Sequence, residues 1–403
     1  MVLDANGNLG KVNDVRWPAA LNQVPKDIFV REDVYRAELQ KIFYGPQWHG
    51  IAHEAEIPNH GDFKTFQLGE IPLIINRDQN GQVNVFHNVC THRGTQLEMA
   101  DRGNRLKFQC PYHRWTFDST GQLTFCPANG DGYSPEFSYD KYPLSRLRVS
   151  IFMGLIFATM SEDTPPLETF LGETAQVLSG LMGGDGRLKL IGYHKTRLEC
   201  NWKTYQDVDS YHAPLLHKAF AMFNWAGGRE GVQHIVRPWG HIASTSTLTL
   251  PEDGGRSLLK DPSLLEFRGE DPRNGSRVVK LFPLFGAVKH LDVINLRFTN
   301  PIGFEATELH YAYFAHQDDD EEMVRHRIRQ SSNLIGPSGC ISLEDAAVYH
   351  RQHIGSRTPG FIEFQKGVQS TSNFDYTFSQ KDEASNLIKW DYYRSVMGFE
   401  REI

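Results

Sequence analysis

The sequence predicts an α+β chain in which a small all-β module precedes a larger domain whose antiparallel sheet is flanked by helices. Three observations predict it. Two pairs of short apolar runs flank polar turns that end in glycine. Leu73-Ile74-Ile75 and Val83-Asn84-Val85-Phe86 enclose Asp78-Gln79-Asn80-Gly81, and Trp115-Thr116-Phe117 and Leu123-Thr124-Phe125 enclose Asp118-Ser119-Thr120-Gly121; this is the pattern of tight hairpins. A polar, proline-rich stretch, Ser161-Glu162-Asp163-Thr164-Pro165-Pro166, then punctuates the chain. Beyond it, helical and strand periodicities mix, as they do when helices pack on an antiparallel sheet.

Taken in order, residues 1–44 form an N-terminal segment whose Val34/Tyr35, Leu39 and Ile42/Phe43 recur at helical intervals until Gly45-Pro46 stops the helix. Residues 45–160 form the hairpin module, and residues 161–403 the second domain, on which the N-terminal helix packs. Within that domain helical signals lie at 167–182, 203–222, 319–333, 342–353 and 383–397. Strand-like runs lie at 242–250, 278–282, 288–298 and 307–315, and the charged, Gly254-Gly255-containing stretch 252–276 reads as a long, mobile surface loop.

Composition narrows the function classes. The 403 residues carry 42 Lys and Arg against 49 Asp and Glu, a net charge of -7 with no basic block, which argues against nucleic-acid or anionic-membrane partners. The Met1–Asn6 start has neither a basic region nor an apolar stretch, so no signal peptide is expected. The longest apolar run, 149–160, falls short of the ~20 residues of a membrane helix. Five cysteines, an odd and sparse number, point to a reducing, cytoplasmic compartment and to metal ligation before disulfides.

Cys90-Thr91-His92 and Cys110-Pro111-Tyr112-His113, seventeen residues apart, each offer one thiolate and one imidazole from a loop between short strands. Four such ligands suit a structural zinc ion. Zinc modules, however, usually group their cysteines together and their histidines together. Alternation of Cys with His in each loop suits a [2Fe–2S] cluster with two thiolates on one iron and two imidazoles on the other. Such ligation places the potential at roughly −150 to +300 mV, apt for accepting an electron from a ferredoxin or reductase. Cys126 and Cys200 lack any such spacing and read as buried apolar residues.

A second group lies in Asp209-Ser210-Tyr211-His212-Ala213-Pro214-Leu215-Leu216-His217. On an ideal helix His212 and His217 diverge by roughly 140°, and Pro214 supplies a kink that can turn them together. A two-histidine iron site needs a carboxylate as third ligand. Asp345 is the candidate, with Glu344 as its competitor; Ser342-x-x-Asp345 equally matches a capping box opening a helix at 342.

These motifs together, over essentially the whole chain, resemble the large (α) subunits of Rieske non-haem iron ring-hydroxylating oxygenases. The resemblance implies a Rieske [2Fe–2S] domain held by Cys90, His92, Cys110 and His113, followed by a START-like, helix-grip catalytic domain in which His212, His217 and Asp345 hold Fe(II). It implies electrons derived from NAD(P)H through a separate reductase or ferredoxin, and dioxygen as co-substrate. It further implies a head-to-tail trimer, α3β3 with a small β subunit or α3 alone, in which Asp209 bridges a cluster histidine of one subunit to an iron histidine of the next. One departure stands out. Relatives run Asn-Trp-Lys-x-x-x-Glu-Asn-x-x-Asp-x-x-His, whereas Asn201 to His212 is two residues shorter, lacks that second Asn, and places Asp207 where Glu is common.

The site segments look most like the subgroup acting on aromatic carboxylates, which includes terephthalate dioxygenase, salicylate 5-hydroxylase and anthranilate dioxygenase. Arg297 falls where terephthalate dioxygenases carry a carboxylate-binding Arg, and a guanidinium fork suits a carboxylate; a salt bridge elsewhere is its ordinary alternative. A second such Arg would fall near Leu387, so a monocarboxylate is expected over a dicarboxylate. Phe220, Met222, Phe223, Phe282, Phe285, Val288, Leu291 and Val293 are candidates to line an apolar pocket. Two other readings share part of this pattern: a Rieske monooxygenase or demethylase, and a Rieske electron-transfer or ligand-binding protein without oxygenase chemistry.

Overall fold

The computed structural model describes residues 12, 14–207, 213–217, 231–246, 261–271, 276–373 and 382–402. It divides into two units, one spanning Phe43–Thr164 and one built from the chain up to Ile42 together with Pro165 onward. No helix among the described residues is long and apolar enough to cross a membrane.

The Phe43–Thr164 unit holds three small antiparallel sheets. One runs in the order Val83–His87, Ile71–Arg77, Asp62–Leu68, Arg102–Asn104; a second joins Lys107–Gln109, Thr116–Asp118 and Leu123–Phe125; a third joins Arg148–Phe152, Leu155–Thr159 and His49–His53. Both expected hairpins form, and by the same device. Asp78 Oδ1 accepts the N–H groups of Asn80 and Gln82 at 2.8 and 2.9 Å, and Asp118 Oδ1 accepts those of Thr120 and Gln122 at 2.9 and 3.0 Å. Gly81 and Gly121 then take φ of +81° and +85°, which a side chain would strain. At Gly121 a Cβ would also meet the Phe86 ring at 2.6 Å.

The other unit is built on a seven-stranded sheet, antiparallel throughout, in the order Leu188–Leu198, Ala306–His316, Val293–Ile302, Phe285–His290, Ser276–Leu281, His241–Ser246, Val232–Val236. Alternation sends Ile294, Leu296, Phe298, Ala312 and Phe314, all fully buried, to one face. The helix Thr174–Leu181 packs there across the three strands from His241 to His290. The opposite face carries Val288, His290, Val293, Asn295, Arg297, Leu309, Tyr311 and Tyr313. Against it lie Tyr205, Leu334, Ile335, Ile341 and Tyr349, which share one buried cluster with Leu291, Val293, Tyr311 and Tyr313. That second face carries the polar centre.

Several sequence expectations are refined by the structure. The run 288–298 is a hairpin turning at Leu291-Asp292, with His290 paired to Val293 and Leu291 at φ +55°. Its turn is held from afar. The buried Asp292 carboxylate accepts the N–H groups of Arg268, Gly269 and Glu270 at 2.8, 3.1 and 2.8 Å, and lies 3.1 Å from His326 Nε2. A turn anchored by distant residues leaves no local Asn-Gly signal. The same bonds fasten residues 268–270 of the segment expected to be a mobile surface loop; Arg268 and Gly269 are exposed there as expected, while Leu265 is 1% exposed. The two edge strands, Leu188–Leu198 and Val232–Val236, were not foreseen, because an edge strand in mixed surroundings lacks a clean period of two. Of the helix expected at 203–222, Trp202–Gln206 and Ala213–Leu216 are helical, and 208–212 and 218–222 lie outside the described residues.

Candidate functional site

The Cys-His loops of the Phe43–Thr164 unit are two copies of one bracket. Cys90 N–H donates to Thr95 O at 2.8 Å and Gly94 N–H to Cys90 O at 3.0 Å; Cys110 N–H donates to Trp115 O at 2.8 Å and Arg114 N–H to Cys110 O at 3.0 Å. Each bracket closes on a left-handed residue, Gly94 at φ +73° and Arg114 at φ +58°. Each sinks its cysteine to 2% exposure and lifts its histidine outward. The two thiols face each other. Burial pushes the Cys90 thiol up; the backbone N–H groups of His92 and Arg93 pull the other way, and the Cys110 sulfur adds to the rise. The His92 and His113 rings lie 4.8 Å apart, and Trp115 stacks on His92 at 4.6 Å and 9°. A thiol pair below an imidazole pair is the donor set a two-iron cluster with unlike ends requires. Cys126 contributes none of this. It is fully buried with its thiol 3.2 Å from the Tyr139 hydroxyl.

In the other unit the Asn-Trp-Lys motif has a mechanical explanation. The Asn201 side chain caps Trp202–Gln206 by accepting the Lys203 N–H at 3.0 Å, and donates to Phe304 O at 2.8 Å. Trp202 Nε1 and Lys203 Nζ both reach the fully buried carboxylate of Glu38, at 2.8 and 2.6 Å, and the Tyr393 hydroxyl donates to it as well. Glu38 ends the helix Glu32–Glu38, so the N-terminal segment is bolted to the start of the site helix. Asp207 is likewise taken up structurally, accepting the Trp390 indole N–H at 2.6 Å.

His217, 1% exposed, follows the short helix Ala213–Leu216. Its Nε2 lies 3.1 Å from Asp345 Oδ1 and its Nδ1 2.9 Å from Glu344 Oε2. Both acids sit on the helix Cys340–Gly355, which begins two residues before Ser342. The Ser342 hydroxyl donates to Ile335 O at 2.6 Å, so the capping-box alternative fails. The adjacent acids therefore do different things. Glu344 is placed to accept an Nδ1 proton, and the tautomer so fixed would turn the Nε2 lone pair to the Asp345 side, as in a metal-binding histidine and its supporting carboxylate. His212 and Asp209 lie outside the described residues, as do Phe220, Met222 and Phe223.

Above this centre, Arg297 occupies the middle of the second sheet face. It is paired across the ladder with Tyr311 on one side and Gly286 on the other. Its guanidinium lies 5.2 Å over the Tyr311 ring, donates from Nε to Asn295 Oδ1 at 2.9 Å, and approaches the Tyr205 hydroxyl at 3.5 Å. No carboxylate lies within ion-pair distance of it among the described residues. His290 marks the connection to the metal side. Burial pushes its imidazole down to about 3, Arg297 and His217 push the same way, and Asp345 opposes them. Of the apolar candidates, Leu291 and Val293 belong to this cluster. Phe285 faces away and packs on Phe298 at 5.8 Å, while Phe282 packs on Trp202 and Tyr392. Neither phenylalanine was separable from pocket residues in the sequence, because strand phase decides it.

Two family models match the chain: a Rieske [2Fe–2S] domain over residues 47–143 and the catalytic domain of the ring-hydroxylating α subunit over residues 186–376. Salicylate 5-hydroxylase large oxygenase component of Ralstonia sp is 30% identical, covering 96% of this chain and 97% of its own. Terephthalate 1,2-dioxygenase terminal oxygenase subunit α 2 of Comamonas sp is 32% identical, covering 96% and 98%. The chain belongs to the Rieske ring-hydroxylating oxygenase large subunits. Naphthalene 1,2-dioxygenase from Rhodococcus sp., in its indole complex, shares the fold with a TM-score of 0.79 at 23% identity over 93% of this chain and 94% of that one. As a terminal oxygenase α subunit, the protein uses a Rieske [2Fe–2S] cluster and a mononuclear iron. Oxygenase components of this family take electrons from a reductase or ferredoxin and bind dioxygen and an aromatic substrate. The paired Cys-His brackets suit the cluster, and His217 with Asp345 suits the iron.

The residues alone leave Asp345 and Glu344 in competition, the family resemblance favours Asp345, and the supporting tyrosines escape the sequence reading. Tyr205, Tyr311, Tyr313 and Tyr349 come from three separate elements, and no local motif links them.

Proposed function

We propose that this oxygenase hydroxylates an aromatic monocarboxylate whose carboxylate is received by Arg297. The observation that carries the reading is the Arg297 guanidinium, buried against Tyr205 and Tyr311, with no carboxylate within ion-pair distance among the described residues. An unpaired cation in such surroundings costs several kcal/mol, and a bidentate anion of the right shape offsets that cost. Three relatives are named for aromatic carboxylates, two of them monocarboxylates: salicylate 5-hydroxylase, the anthranilate 1,2-dioxygenase large subunit of Burkholderia cepacia, 32% identical over 94% of each chain, and, for a dicarboxylate, terephthalate 1,2-dioxygenase.

In this reading Cys90, His92, Cys110 and His113 hold the cluster, and His212, His217 and Asp345 hold the iron. Dioxygen activation is the chemistry that iron supplies at two histidines and a carboxylate. The protein's own part is to present the ring. Arg297 fixes the acid end, the neutral phenols around it exclude water, and Glu344 keeps the His217 proton on Nδ1. Asp209 links neighbouring subunits of a head-to-tail trimer, α3 or α3β3.

Oxygen uptake with a surrogate reductase tests the proposal. Benzoates should stimulate substrate-coupled uptake well above neutral aromatics of equal size. Equal stimulation by both would remove the carboxylate from the recognition scheme. Labelled dioxygen then shows whether one or two oxygen atoms enter the product.

A further inference from the structure

Trp115 belongs to one Cys-His bracket and serves the other. Its carbonyl accepts the Cys110 N–H at 2.8 Å and closes that bracket. Its indole lies flat on His92 of the opposite bracket, with 4.6 Å between ring centroids and 9° between planes. The indole is held in place from the sides. Its Nε1–H donates to the Tyr133 hydroxyl at 3.1 Å, and Phe137 and Tyr142 meet it edge-on at 5.7 and 5.4 Å. Trp115 is 2% exposed whereas His92 is exposed, so the indole is the fixed partner of the pair.

His113 is backed differently. The ring against it is that of Tyr112, 3.7 Å away and tilted by 31°. Tyr112 is 56% exposed, and the Arg93 guanidinium lies 5.3 Å from its ring centroid, drawing on the same π electrons. Two imidazoles alike as donors thus have unlike support, and the stronger falls to His92.

That support carries a sign. The face of an indole is negative and attracts positive charge more strongly than that of Tyr or Phe. An imidazole that ligates iron shares the metal's positive charge, which is larger before the cluster accepts its electron than after. The stack therefore favours the oxidised cluster. We propose that Trp115 is a positioning residue for electron transfer, whose stacked indole lowers the reduction potential of the Rieske cluster through His92. A lower potential makes the cluster a stronger donor to the mononuclear iron. The inference rests on His92 being a cluster ligand.

Redox titration of the cluster-loaded full-length protein at one fixed pH, followed by the visible spectrum and the EPR signal of the reduced cluster, tests it. Trp115→Leu should move the oxidised-to-reduced ratio at a given potential roughly 3-fold toward the reduced form, a rise of about 30 mV for a one-electron couple. Trp115→Phe keeps a weaker aromatic face and should give a smaller rise of the same sign; it also keeps the test open if the leucine variant does not fold. Phe137→Leu alters the packing around the indole but leaves the stack itself, and should leave the potential where it is. An unchanged or lowered potential in the Trp115 variants, or an equal rise in Phe137→Leu, overturns the assignment. His92→Ala separates this failure from that of the parent reading. If that variant assembles a cluster with the native spectrum, His92 is no ligand and the Trp115 role falls with it. If it loses that spectrum while the Trp115 variants keep the native potential, the Trp115 role alone falls.

Discussion

His217 stands between two acids of one helix, with Nε2 3.1 Å from Asp345 and Nδ1 2.9 Å from Glu344. One imidazole thereby distinguishes two neighbouring carboxylates that composition cannot tell apart. His217→Ala or Asp345→Ala should lower iron from about three to about two atoms per chain, leaving the cluster's two. Glu344→Gln should keep the iron but weaken its binding roughly 10–100-fold, as loss of a supporting carboxylate does. Metal analysis after graded chelation, with the cluster's visible spectrum as internal reference, reads both effects. Iron loss from Glu344→Gln as complete as that from Asp345→Ala would reverse the two roles.

Arg297→Gln should raise KM for an aromatic carboxylate by about 10–100-fold, the worth of a charge-assisted hydrogen bond, and change that for a neutral ring far less. Steady-state kinetics on a matched acid and hydrocarbon pair decide it. Equal effects on both would make Arg297 a packing residue.

The Glu38–Lys203 ion pair is a stability element, with side chains 0% and 1% exposed. Removing one partner of such a pair leaves a buried charge and costs about 3–5 kcal/mol. Glu38→Gln should therefore lower the melting temperature markedly. The Phe43–Thr164 unit contains neither residue, so the cluster absorption should persist in the variant. Calorimetry combined with the visible spectrum checks this, and an unchanged melting temperature would contradict it.

Glu270 sets an acid limit. Burial alone would raise its pKa, but the His316 bond together with Lys289 and Arg327 outweighs burial and holds the carboxyl down to about 2, from an ordinary 4.5. A carboxyl depressed on folding stabilises above its unfolded pKa, and that stability is lost as pH falls through the folded value. About 3 kcal/mol should disappear between roughly pH 4.5 and 2. Denaturant titrations over this window should show a shallower decline in Glu270→Gln. An identical slope would mean Glu270 has no part in it.

Much of this architecture was legible because its signals are local. The two Asp-x-x-Gly hairpins carry their own turn chemistry, and the C-x-H and C-x-x-H loops carry their own ligands. What escaped reading depends on distance. The Leu291-Asp292 turn is fixed by residues 268–270, the tyrosine cluster assembles from several elements, and whether Phe285 or Gly286 faces Arg297 is set by strand phase. Only the family resemblance sets Asp345 above Glu344 in the sequence; their different contacts come from an imidazole some 130 residues earlier in the chain.

The iron-bearing unit is also stitched from both ends of the chain. Gln23–Pro25 pairs with Phe361–Glu363, and Trp17 bridges to Arg401, while the cysteine-bearing unit is contiguous. A polypeptide emerging from the ribosome N-terminus first therefore finishes its sulfur-ligand brackets while Trp17 and Gln23 still await partners more than three hundred residues downstream. Cotranslational maturation is ordered accordingly: the electron-relay half has every residue it needs well before the oxygen-handling half has its last.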